Sequence, residues 1–146
     1  MNRPISTRAH GMIDYTWATL AAAVPGMLAD ATATKRLVRG ASAAATANSM
    51  VTNYEAGVMK VMPMKAHLAM DVVMCTALLL SPLYLPRSER RYSVIPMLLG
   101  AAGLLTALMT QTESPDEYAF TPSRELSEAV ADPDVSRNSE FQSYLE

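Results

Sequence analysis

Arg8-Ala9-His10-Gly11-Met12-Ile13-Asp14 returns 57 residues later as Lys65-Ala66-His67-Leu68-Ala69-Met70-Asp71, and Pro25 returns at the same offset as Pro82. A second pair of segments, Val51-Thr52-Asn53-Tyr54-Glu55 and Met109-Thr110-Gln111-Thr112-Glu113, matches at an offset of 58. Two matches in one order at nearly one spacing describe a unit used twice. Each unit runs from a basic residue through His, three residues and Asp into an apolar run, a Pro, a basic turn, small residues, Thr and Glu. The two units, 6–55 and 63–113, place the chain's only two histidines in equivalent positions.

Outward from the repeat, the chain divides by charge. Residues 1–113 hold ten Lys/Arg and six Asp/Glu, whereas 114–146 hold two Arg and eight acids. An apolar, mildly basic body therefore carries an acidic polar tail. The mean hydropathy of +0.10 averages over this boundary.

Four apolar stretches lie in the body, near 11–28, 37–54, 66–85 and 92–112. Each approaches the ~20 residues a helix needs to span ~30 Å of hydrocarbon. The third and fourth carry uncharged centres, and the repeat extends their reading to the Ala-rich first and second. Ser6 or Thr7 caps the first helix, Pro25-Gly26 ends it, and Asp30 to Arg36 forms a basic turn. Ala41 to Ser49 and Gly100-Ala101-Ala102-Gly103 supply the small residues that let helix backbones approach closely in lipid. The expected fold is all-α: a four-helix transmembrane bundle made of two tandem helical hairpins inserted in the same orientation. Such parallel repeats are related by a pseudo-two-fold axis along the membrane normal. His10, Asp14, Glu55, His67, Asp71 and Glu113 then share one membrane face, and the basic turns the other.

Basic-x-His-x-x-x-Asp, an apolar run ending in Ser81-Pro82-Leu83, and a second span ending in Thr-x-x-Glu resemble the SPW-repeat family of small prokaryotic membrane proteins. Val24-Pro25-Gly26 holds the corresponding place in the first unit; both copies lack the Trp, and the first also lacks the Ser. The resemblance covers residues 8–113. It implies two helices per repeat and a bacterial inner-membrane protein, and it implies no activity.

His10 with Asp14, and His67 with Asp71, are spaced i,i+4 and share a helix face. A carboxylate so placed fixes a histidine's tautomer by holding its second nitrogen, as around metal-binding imidazoles. The simplest role for the cluster is a structural network closed by Glu55, Glu113, Arg8 or Lys65. The alternatives are a divalent metal or haem clamped between the two imidazoles, or a proton, quinone or lipid-headgroup site. Met59, Met62 and Met64 offer thioethers suited to Cu(I), but the segment reads more simply as an interfacial loop with snorkelling lysines. Cys75 stands alone in mid-span and reads as a small core residue.

The chain shows no nucleophile with its base, no phosphate-binding Gly loop and no zinc-type Cys spacing. Nothing in it suits nucleic acid. The leading functional expectation is a non-enzymatic accessory or structural subunit without a cofactor, embedded in the lipid bilayer and packed against other membrane subunits. The positive-inside rule puts its termini on the non-cytoplasmic side. The tail, 114–146, is expected outside the membrane and docked on a partner through Tyr118, Phe120, Phe141, Tyr144 and Leu145. A membrane redox or metal carrier using the His-x3-Asp pairs is the alternative.

Overall fold

The computed structural model describes residues 3–119, and among them the chain is helical. The elements are α1 (Thr7–Ala23), α2 (Thr32–Val51), α3 (Met64–Leu79), α4 (Ser81–Tyr84), α5 (Val94–Met109) and α6 (Pro115–Ala119), with 3-10 turns at Val24–Met27 and Arg87–Tyr92. Met1–Ser114 is one compact unit and Pro115–Glu146 another; in the second, only α6 is described. The side chain of Tyr118, together with Phe120, Phe141, Tyr144 and Leu145, lies outside the described residues.

Local chemistry sets the helix ends. The Ser6 side chain accepts a hydrogen bond from Ala9 N–H and caps α1, satisfying one of the first-turn donors. Pro25 has no N–H to continue the ladder, and α1 gives way there to its 3-10 turn. α2 begins at Thr32, so Lys35, Arg36 and Arg39 lie on the helix, not in the expected turn. No side chain of its own caps α2. Glu89, from the 3-10 turn before α5, accepts from Ala33 N–H at 3.1 Å, Thr34 N–H at 2.8 Å and the Thr34 hydroxyl at 3.0 Å.

α1 packs chiefly on α2 and α3 on α5, with α1–α5 and α2–α3 contacts joining the two hairpins. One core combines Trp17, Ala18, Ala21, Val38, Ala41, Ala45 and Leu78. The second hairpin is tighter: a Cβ at Gly100 would stand 2.5 Å from the Cys75 carbonyl oxygen, so only glycine admits this approach. Between the units the backbone bonds exchange at offsets of 57 and 58. Ile5 N–H donates to Met109 O and Gln111 N–H to Ile5 O, and likewise Met62 N–H donates to Val51 O and Asn53 N–H to Met62 O. The lead-in to each unit is thus closed against the end of the other's last helix.

Among the described residues no helix is long and apolar enough to cross a membrane. The causes are visible in the elements. α1, α3 and α5 hold 17, 16 and 16 residues, and Pro25 and Pro82 interrupt the continuations of α1 and α3. α2 holds 20, but Lys35, Arg36 and Arg39 and its Ser, Thr and Asn residues dilute it.

Candidate metal centre

One turn of helix separates His10 from Asp14 on α1 and His67 from Asp71 on α3. The α1–α5 and α2–α3 contacts that join the hairpins bring the two pairs onto a single point. His10 Nε2 and His67 Nε2 are 3.0 Å apart. His10 Nε2 lies 3.2 Å from both Asp14 Oδ2 and Asp71 Oδ2; His67 Nε2 lies 3.0 Å from both. All four atoms fall within 4.8 Å of one another. The imidazoles are buried completely, Asp71 is nearly so, and Asp14 is partly exposed.

The remaining ring nitrogens decide the chemistry. His10 Nδ1 lies 2.8 Å from Thr110 Oγ1, whose own hydrogen goes to Thr106 O at 2.7 Å. His67 Nδ1 lies 2.8 Å from Thr52 Oγ1, whose hydrogen goes to Asn48 O at 2.6 Å. Each threonine has spent its only donor, so each Nδ1 must carry the proton and donate. When neutral, each ring then turns its Nε2 lone pair to the point that also receives two carboxylate oxygens. Each histidine is held by the threonine of the other repeat unit.

The carboxylates have their own supports. Ser49 Oγ donates to Asp14 Oδ2 at 3.0 Å, and Asn48 Nδ2 donates to Asp71 Oδ1 at 3.0 Å. The buried Tyr54 ring stands 5.6 Å from the His67 ring and walls one side.

Of the six acidic and imidazole groups expected on this face, four converge. Glu55 is held instead by the Thr7 hydroxyl at 2.8 Å. Glu113 pairs with Lys65 at 2.7 Å on the surface. A glutamate one turn beyond the end of α2 or α5 is too far along the chain to reach the point below. The expected role of the aspartates is corrected too: they do not hold the second ring nitrogens but meet the same point as the Nε2 atoms. The threonines that do hold those nitrogens were visible as matched positions of the repeat, and their i−4 carbonyl partners were the missing signal. No family model, curated protein or solved structure matches the chain.

Proposed function

We propose that residues 3–114 form a binding module for one divalent transition-metal ion, ligated by His10 Nε2, His67 Nε2, Asp14 Oδ2 and Asp71 Oδ2. The observation that carries this reading is the convergence of two Nε2 atoms and two carboxylate oxygens on one point, with each ring's Nδ1 taken up by a threonine. Five of the six separations in the set measure 3.0–3.2 Å. A tetrahedron with ~2.0 Å metal–ligand bonds needs about 3.3 Å between ligands. A dication on two carboxylates and two neutral imidazoles gives a neutral buried site, which the bundle interior favours. Protons balance the charge less well. Two imidazolium rings would point their Nε2–H groups at each other across 3.0 Å.

Mixed N and O donors without sulfur suit zinc, iron(II), cobalt or manganese and not Cu(I). Haem fits poorly. Two Fe–N bonds of ~2.0 Å would separate the nitrogens by about 4 Å, and the two carboxylates stand where the porphyrin plane would pass.

A second observation favours a membrane setting, with the chain as an accessory subunit in a larger assembly. Large apolar side chains point outward from α1, α3 and α5, among them Met12 at 66% exposure, Val73 at 71% and Leu98 at 66%. Met27 and Leu83, at 85% and 74%, extend this surface to the turn end. Exposed large apolar side chains in this number suit contact with lipid or with another protein. The SPW-repeat resemblance and a bacterial inner-membrane location accord with it.

One preparation tests both readings. Cell fractions are washed with alkaline carbonate, and the protein recovered in mild detergent is analysed for metal and for co-purifying chains. The expected result is retention in the washed membranes, one transition-metal ion per chain, and loss of that ion in His67→Ala and Asp14→Asn. A folded wild-type chain that takes up no Zn2+ or Co2+ would sink the metal reading; release into the carbonate wash would sink the membrane setting.

A further inference from the structure

Beneath the four ligand atoms, on the carboxylate side, lies a cavity of about 20 Å³. Its wall is built from repeat-matched pairs: Asp14 with Asp71, Trp17 with Met74, and Ala45 with Gly103. A space lined by matched residues of both units sits between the units, in line with the point where the ligand atoms meet. The histidines do not line it; the two ligand carboxylates do.

Two departures from the repeat open this space. At the position where α2 presents Asn48, α5 presents Thr106, and its hydroxyl bonds back to Ala102 O at 2.9 Å within its own helix. Where α2 presents Ser49, α5 presents Ala107. Both aspartates are therefore steadied from α2 alone, and no side chain of α5 reaches across to them. Gly103 lets the α5 backbone close on Cys75 beside this space, since a Cβ there would stand 2.5 Å from Cys75 Sγ. A cavity needs roughly 10–15 Å³ of this kind of volume, and polar partners, to hold one water. This one has the volume, and two carboxylates and the Thr106 oxygen supply the partners.

We propose that the ion held by the four ligands keeps one further coordination position on the carboxylate side, and that this cavity admits a single small ligand to it, water or a linear anion of two or three atoms. The proposal rests on the metal reading above. Four protein ligands at tetrahedral separations match the donor count of a closed site, so the small ligand enters by expanding the coordination to five. The chain's own residues define the specificity: Trp17, Met74 and Cys75 limit length, and Trp17 Nε1, already donating to Leu99 O at 3.0 Å, offers the ligand no bond.

The test uses the full chain loaded with Co2+, whose d–d absorption reports coordination number, with azide as the probe. Azide is expected to shift and weaken the bands saturably while the Co2+ content stays at one per chain. Ala45→Val, which adds two methyl groups to the cavity wall, is expected to weaken azide binding by about tenfold or more, the cost of overpacking a filled space. Thr106→Asn, which restores the residue of the other unit, serves if Ala45→Val does not fold and carries the same expectation. A Co2+-loaded wild type blind to azide overturns the open position. An azide response unchanged in the folded variant overturns the assignment to this cavity. A folded protein that takes no Co2+ at all fails the underlying metal reading instead.

Discussion

At the residue scale, the threonines matter as much as the ligands. Thr52 and Thr110 act only through the histidines they hold, by accepting from Nδ1–H and so turning Nε2 to the proposed ion. Outer partners of this kind typically change metal affinity by ~10–100-fold when removed. Thr52→Val keeps the shape and deletes the acceptor, so a loss of Zn2+ affinity of that size is expected while the helical circular dichroism is retained. Competition with a chromophoric chelator measures it, and an unchanged dissociation constant would remove the tautomer argument. Sequence spacing made His10, Asp14, His67 and Asp71 legible as two pairs. It did not show which ring nitrogen each carboxylate approaches, because that depends on the side-chain rotamer and on the neighbouring helix.

At the element scale, the fold relies on ends satisfied from a distance. α2 starts without a cap of its own, and Glu89 supplies three acceptor contacts from the opposite hairpin. The N–H of Thr34, foremost, holds the Glu89 carboxyl below the usual glutamate value; the N–H of Ala33, the Thr34 hydroxyl and the charge of Lys35 act in the same sense, against burial. A lowered folded value gives stability that is present above the ordinary glutamate value and is lost as pH falls through the folded one. Glu89→Gln is therefore expected to lower the melting temperature at neutral pH and to narrow the gap to wild type as the pH drops into the acid range. Melts at several pH values check this, and a pH-independent gap would contradict it. Arg87-Ser88-Glu89-Arg90-Arg91 reads as a polar turn from its composition alone. That its one acid turns inward was not visible, because the partner amides belong to a helix 55 residues away.

At the scale of the whole molecule, the proposed ion ties α1 of one hairpin to α3 of the other, where few other polar contacts join them. Ligand binding to the native state alone stabilises it by about 2.7 kcal/mol when the free ion is 100-fold above its dissociation constant. Thermal melts with Zn2+ and with a chelator should then differ by several degrees, in favour of the loaded protein, and His67→Ala should melt alike in both. Coincident wild-type melts would mean that no ion binds the folded state. Glu55 and Glu113 stay out of the centre, each received inside its own unit, by Thr7 and by Lys65.

The sequence by itself determined the helical units and the pairing of each His with an Asp, because 3.6 residues per turn places i and i+4 on one face whatever surrounds them. It also determined the breaks at Pro25 and near Pro82, where a missing N–H acts locally. Only the tertiary structure decided that the two pairs meet, that each histidine is gripped by the other unit's threonine, and that the α5 side of the centre is open. Those outcomes depend on how helices distant in sequence rotate and approach. Small differences such as Asn48 against Thr106, or Ala45 against Gly103, acquire meaning only once backbones 58 residues apart in sequence are in contact in space.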